Sequence, residues 1–176
     1  ACLRLDLDPA PVFERAGIEA QIDALLEPRV DLPGGGFLLI EPVQTLTAID
    51  VNTARHDGTG GPAAGALAVN LQAAAEIPRQ LRLRGLSGLM VIDFLDLADP
   101  RARQRVIDAL RQGLSGDARP GRVSTMRRSG LVELTRHRAG PALYELLTEP
   151  CGIGGGGRAR DPLSLAFAAL RAARHA

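Results

Sequence analysis

Several residue types are missing or scarce in this chain of 176 residues. It contains no lysine and no tryptophan, and aromatic side chains make up only 3% of it, so leucine, valine, isoleucine and alanine must build the core. So few rings argue against a single-strand nucleic-acid platform made of stacked aromatic side chains. The two cysteines, Cys2 and Cys151, are too few for a disulfide framework.

Long apolar runs are also missing. No stretch approaches the ~18 consecutive apolar residues of a membrane-spanning helix, and no signal peptide is visible at the amino terminus. The chain begins with Ala1 rather than methionine, which indicates a piece of a longer polypeptide. We therefore expect a protein without a membrane partner, located in the cytoplasm.

The charge balance is close to neutral, with a formal net charge of +1. No global field therefore draws the chain to nucleic acid or to a membrane surface. All 21 basic residues are arginine, a residue that suits bidentate recognition of phosphate. Because selection for phosphate binding would not remove surface lysine, we favour a compositional bias of the coding sequence as the explanation.

The order of predicted elements indicates a mixed α/β protein. Hydrophobic periodicity predicts helices at 13–26, 63–84, 100–114 and 162–174, and strands at 37–41, 46–51, 89–95, 122–126 and 131–135. Pro78 lies inside the second helix, where it predicts a bend or a restart. The pattern predicts a mixed sheet flanked by helices, with a short helical appendage at the carboxyl end.

Two apolar strands end in carboxylates. Asp50 and Asn52 share one face of a strand because side chains alternate along it, and Asp93 ends a different strand. If these strands are neighbours, Asp50 and Asp93 converge on one divalent cation, with Asn52 adding a neutral polar contact. Mg²⁺ prefers oxygen ligands and takes one or two carboxylates when phosphates supply others. Such a site supports metal-assisted phosphodiester hydrolysis.

Other interpretations of these residues stay open at this point. Aspartate and asparagine also mark strand ends because they suit turns, which on spacing alone is the commoner case. The glycine-rich segments 58–61 and 152–157 could cradle phosphate, but they lack the strand–loop–helix context of a phosphate site and fit connectors better. Arg79 and Arg82 could contact phosphate, although solvated arginines on a helix are the commoner case.

Four long motifs follow one another along the chain: GGFLLIE at 35–41, TAIDVNTAR at 47–55, NLQAAAEIPRQLRLR at 70–84 and GLMVIDFLD at 88–96. With shorter matches at 13–21, 129–136 and 149–151, they resemble the ribonuclease E/G family. The resemblance implies a deoxyribonuclease I-like catalytic subdomain at 34–148. It makes 1–33 a connector from an RNA-binding and 5′-sensor region, and 149–176 a degraded zinc-link and the start of a small domain.

The resemblance also implies a function. The family consists of single-strand-specific endoribonucleases that leave 5′-phosphate and 3′-hydroxyl ends. Its two Mg²⁺ ligands fall on Asp50 and Asp93, its assisting asparagine on Asn52, and Asp96 is expected to support the site. Mn²⁺ is expected to substitute for Mg²⁺. Single-stranded RNA is the implied partner, with contacts expected from Arg55, Arg79 and Arg82.

The family's zinc element is altered in this chain. The resemblance implies Cys-Pro-x-Cys, but residues 151–154 read CGIG, so Cys151 lacks its partner. Structural zinc sites need four ligands, so we predict no zinc and a homo-oligomer, if one forms, without a zinc link.

The alternative function is a non-catalytic RNA-binding or interaction module that retains the family fold.

Overall fold

A computed structural model describes residues 12–53, 61–119, 121–151 and 158–173. Its centre is a six-stranded sheet. The strands are β1 (Arg29–Asp31), β2 (Gly36–Pro42), β3 (Thr47–Thr53), β4 (Gly88–Asp93), β5 (Gly121–Val123) and β6 (Leu131–Arg136). They lie in the order β1-β2-β3-β4-β6-β5, and β3 and β4 are the parallel pair among otherwise antiparallel neighbours. The predicted mixed α/β class is confirmed.

The described part of the chain also forms helices, which precede, connect and follow these strands. They are α1 (Val12–Arg15), α2 (Ile18–Leu26), α3 (Gly61–Leu83), α4 (Pro100–Leu114), α5 (Leu143–Leu147) and α6 (Pro162–Ala173). A small antiparallel pair, β7 (Thr148–Pro150) and β8 (Arg158–Arg160), lies between α5 and α6. In the described part of the chain, no helix has both the length and the apolar character that a membrane crossing needs.

One face of the sheet forms the core together with α3 and α4. In β3, Ile49 is 1% exposed, whereas the next residue, Asp50, is exposed. In β4, Ile92 is fully buried and Asp93 is exposed. Because successive side chains point to opposite faces of a sheet, burial of the apolar residues in both strands fixes the two aspartates on the face away from the core.

The predicted restart at Pro78 does not occur, because α3 continues through this residue to Leu83. Pro78 is buried, and Gly113 of α4 faces it so closely that a Cβ on Gly113 would lie 2.8 Å from Pro78 Cγ. An interior proline costs about 3 kcal/mol of helix stability. Packing of the ring against a glycine of the neighbouring helix offsets part of that cost.

Other boundaries also differ from the sequence prediction, and two of these differences have a local cause. The helix predicted at 13–26 is divided into α1 and α2, because Gly17 has a φ of 64°, a left-handed conformation that interrupts a right-handed helix. The strand predicted at 89–95 ends at Asp93. It ends there because the backbone of Leu95 pairs with a side chain of α3 rather than with a strand.

A buried ion pair joins the end of β6 to the segment after α4. Arg136 Nε donates to Asp117 Oδ2 at 2.7 Å and Arg136 Nη2 donates to Asp117 Oδ1 at 3.0 Å. The two side chains are only 4% and 3% exposed. The hydrogen bond from Arg136 is the largest cause that lowers the pKa of Asp117 below its usual value.

Replacing Asp117 with asparagine is expected to reduce the free energy of unfolding by about 3 kcal/mol at pH 7, because a buried arginine then loses its carboxylate. Because the pKa of Asp117 is lowered in the folded protein, its contribution is complete above the ordinary pKa of aspartate. It is lost as the pH falls through the lowered value. Urea unfolding of both proteins at stepped pH measures the effect.

Asp108→Asn is the matched control for this experiment. The side chain of Asp108 is 61% exposed, and its ion pair with Arg111 spans 4.0 Å. An exposed pair of this kind contributes little, so the control should change the free energy of unfolding by less than about 0.5 kcal/mol. Equal losses in the two variants would contradict the role given to the buried pair.

Candidate metal centre

Asp50 and Asp93 lie side by side on neighbouring strands. In the parallel pairing of β3 with β4, Asp50 is in register with Asp93, the last residue of β4. Neighbouring strands run about 4.8 Å apart, and residues in register project from the same face. Both residues are exposed on the face away from the core. The structure therefore brings together the two carboxylates that the sequence singles out.

Asn52 is joined to this pair by a hydrogen bond. It lies two positions after Asp50 on β3, and its Nδ2 donates to Asp50 Oδ2 at 2.8 Å. Residues two apart on a strand share a face, so the contact follows directly from the strand geometry. The amide of Asn52 orients the Asp50 carboxylate within the site.

The pKa of Asp93 is raised above its usual value. Loss of hydration is the largest cause, followed by the negative charge of Asp50 and then that of Asp96. Like charges close to a carboxyl group disfavour its ionised form. The raised pKa therefore reflects loss of hydration first and repulsion from two neighbouring carboxylates second, and Asp96 acts on the site through its charge.

The donor set fits a hard divalent cation that keeps some of its own water. Asp50 and Asp93 offer carboxylate oxygens, and a cation between them would relieve their repulsion. Within the described residues, no group of three or more histidine, cysteine, aspartate or glutamate side chains is arranged to hold a metal. Mg²⁺ does not require one, because one or two carboxylates suffice when waters and phosphates complete its shell.

Gly130 allows the turn before β6 to close against the end of β4. Its φ is 80°, and a Cβ at this position would overlap the carbonyl oxygen of Phe94 and lie 3.5 Å from Asp93 Oδ1. The N–H of Phe94 donates to the carbonyl of Gly130 at 3.3 Å. The sequence motif at 129–136 contains Gly130, but nothing in the motif indicates that this glycine borders the carboxylate pair.

Two of the arginines predicted to contact RNA, Arg79 and Arg82, have their side chains bound to groups other than the aspartates. Arg79 is 58% exposed and pairs with Glu76 at 2.8 Å, and Arg82 Nη1 donates to the carbonyl of Gly113 at 3.0 Å. Asn70 is the residue of α3 that contacts the loop after Asp93. At a rise of 1.5 Å per residue, Arg79 and Arg82 lie about 14 Å and 18 Å further along the helix. Arg55 lies outside the described residues.

Cys151 is half-buried and is not in a disulfide. Residues 152–157, which include the position of its missing zinc partner, lie outside the described residues. The expected absence of zinc therefore stays a prediction.

Comparison with known proteins agrees with the resemblance read from the motifs. The sequence model of the ribonuclease E/G family matches residues 2–139. Ribonuclease E of Nostoc sp. is 40% identical over 149 residues, which are 85% of this chain. Ribonuclease E of Escherichia coli (strain K12) is 39% identical over 170 residues, which are 96% of this chain. The chain belongs to the ribonuclease E/G family.

This chain is much shorter than the relatives it matches. The aligned region is 22% of the Nostoc protein and 16% of the Escherichia coli ribonuclease E. Ribonuclease G of Escherichia coli (strain K12), 36% identical over 141 residues that are 80% of this chain, is covered to 29%. The chain therefore spans less than a third of the length of each of these relatives.

Removing one of the two paired charges should change the titration of the other. Asp50→Asn is expected to lower the pKa of Asp93, since the charge of Asp50 helps to raise it, while the new carboxamide keeps an oxygen for Asn52. A raised pKa in the folded state means that ionised Asp93 destabilises the fold above its ordinary pKa. Asp50→Asn should therefore raise the thermal midpoint at pH 7, measured beside NMR titration of the carboxyl carbons.

The control for this experiment is again Asp108→Asn, which removes one negative charge from an exposed helix position. It should leave the pKa of Asp93 unchanged, because the charges that raise this pKa are those of Asp50 and Asp96 and not that of Asp108. A pKa of Asp93 that does not respond to Asp50→Asn would show that the two carboxylates do not interact.

Proposed function

We propose that this chain carries the catalytic centre of a Mg²⁺-dependent, single-strand-specific endoribonuclease that acts in RNA processing and decay. The observation that carries the proposal is the register of Asp50 with Asp93 on adjacent parallel strands, in a chain that belongs to the ribonuclease E/G family. The products would carry 5′-phosphate and 3′-hydroxyl ends.

Asp50 and Asp93 would hold the Mg²⁺, and Asn52 keeps the Asp50 carboxylate in position through its 2.8 Å hydrogen bond. When bound, the metal polarises a phosphoryl oxygen and lowers the pKa of its water. Both carboxylates are exposed on the face away from the core, so an RNA backbone can approach them without movement of the sheet. The core face fixes their direction because it buries the alternate residues of both strands.

Single-stranded RNA is the proposed partner, in the cytoplasm, and Mn²⁺ is the proposed substitute for Mg²⁺. An extended single strand fits an open sheet face, because its phosphates are accessible from one side without a groove to match a duplex. Any homo-oligomer is proposed to form without a zinc link, since residues 151–154 read CGIG.

Divalent cations should stabilise the protein through this pair. Mg²⁺ or Mn²⁺ is expected to raise the thermal midpoint of the wild type, because a ligand that binds only the folded state adds RT ln(1 + [L]/Kd) to its stability. Asp50→Asn and Asp93→Asn should lose the effect, whereas Asp108→Asn should retain it. Cation stabilisation of equal size in all four proteins would place the binding elsewhere.

RNA cleavage tests the activity itself. With a fluorescent single-stranded oligoribonucleotide and Mg²⁺, each of Asp50→Asn and Asp93→Asn should lower kcat/KM by at least about 100-fold. The reason is that a catalytic metal supplies several kcal/mol of transition-state stabilisation and about 1.4 kcal/mol is a factor of ten. Asp108→Asn should cleave like the wild type, and EDTA should abolish cleavage.

Equal cleavage by the wild type and both aspartate variants would reject the proposal. Retained RNA binding without Mg²⁺-dependent cleavage would identify the chain as a non-catalytic RNA-binding module of the same family. A duplex of the same sequence serves as the specificity control, and it should be cut more slowly than the single strand.

A further inference from the structure

We propose that Asn70 is a positioning residue for the metal centre. It holds the loop that joins Asp93 to Asp96 through two hydrogen bonds to Leu95, and no motif or comparison assigns it this role. The inference rests on the proposed function of the aspartate pair and extends it to the helix behind the sheet.

Asn70 lies on α3 and is fully buried. Both polar atoms of its side chain form hydrogen bonds with the backbone of one residue, Leu95. Its Oδ1 accepts from the N–H of Leu95 at 3.0 Å, and its Nδ2 donates to the carbonyl of Leu95 at 2.8 Å. Buried backbone groups need partners. The carboxamide therefore satisfies both backbone groups of Leu95, as a neighbouring strand would in a sheet. Leu95 lies two residues beyond the end of β4.

The side chains of the same loop alternate between inside and outside. Phe94 and Leu97 are 3% and 5% exposed, whereas Asp93 and Asp96 are exposed. Two buried apolar residues set the depth of the loop, and the N–H of Phe94 is bonded to the carbonyl of Gly130. The paired bonds from Asn70 add a fixed point at Leu95, between the two aspartates.

A core position on α3 does not need a carboxamide for packing alone. An apolar side chain of similar volume would fill the space without the cost of desolvating an amide. The other buried carboxamide of this helix, Gln80, is 4% exposed and bonds with Glu76 and Arg84 rather than with the loop. Gln80 is therefore a control of the same chemistry, on the same helix, without contact with the site.

The test compares Asn70→Ala with Gln80→Ala in the complete 176-residue chain. Three quantities are measured: the ¹³C carboxyl shifts of Asp93 and Asp96 at fixed pH without metal, the Kd for Mn²⁺, and kcat and KM for RNA cleavage. Loss of a residue that orients a metal ligand typically costs ~10–100-fold in metal affinity or activity. Asn70→Ala should shift both carboxyl signals, weaken Mn²⁺ binding by at least about tenfold, and lower kcat.

Gln80→Ala should leave the carboxyl shifts, the Mn²⁺ affinity and kcat near wild-type values, even where it lowers the thermal midpoint as much as Asn70→Ala does. If Asn70→Ala does not fold, Asn70→Leu replaces it, because a side chain of similar volume fills the buried space while both bonds to Leu95 are lost. The expected changes are in the same direction.

Two outcomes overturn the inference: carboxyl shifts unchanged in the folded Asn70 variant, or equal changes in the Asn70 and Gln80 variants. Failure of the proposed function looks different. If the wild type cleaves no RNA while Asn70→Ala shifts the carboxyl signals and weakens Mn²⁺ binding, the positioning role stands and the nuclease activity is rejected.

Discussion

The parallel pairing of β3 with β4 is the interaction on which the site depends. Parallel strands cannot be joined by a tight turn, so the chain must cross the sheet between them, and α3 lies on that crossing. The pairing places Asp50 in register with Asp93. A slip of one residue would turn one carboxylate into the apolar core, so burial of Ile49 and Ile92 protects the register as well as the fold.

The crossing helix also holds the loop that follows the second carboxylate. Asn70 binds the backbone of Leu95 early in the buried part of α3, and ten residues later Gln80 supports Arg84, whose Nη1 donates to the carbonyl of Glu27. One helix therefore fixes backbone segments at both ends of the sheet. These contacts require α3 to stay continuous. The close packing of Pro78 against Gly113 of α4 is consistent with this requirement.

Sequence patterns could predict β2 to β6 and the two carboxylates, because alternation along a strand is a local property, but they did not predict β1, β7 or β8. They could not fix the register of β3 with β4, which depends on residues forty positions apart. Gly130 and Asn70 escaped prediction because their roles are set by backbone atoms of distant residues. The Asp117–Arg136 pair looks in the sequence like two solvated charges, and only packing shows that both are buried. A bend or a restart was predicted at Pro78, and the helix continues through this residue.

The charges at the two ends of β4 have opposite effects on stability. At its beginning, Gly88 pairs with Arg136, whose charge is matched by Asp117 and whose Nη1 donates to the carbonyl of Leu86. At its end, Asp93 lies beside Asp50. Loss of hydration and two negative charges raise the pKa of Asp93, and no positive charge opposes them. The neutralised end and the buried core keep the strand in place, so the other end can hold two like charges close together. The divalent cation proposed for this pair would relieve that repulsion.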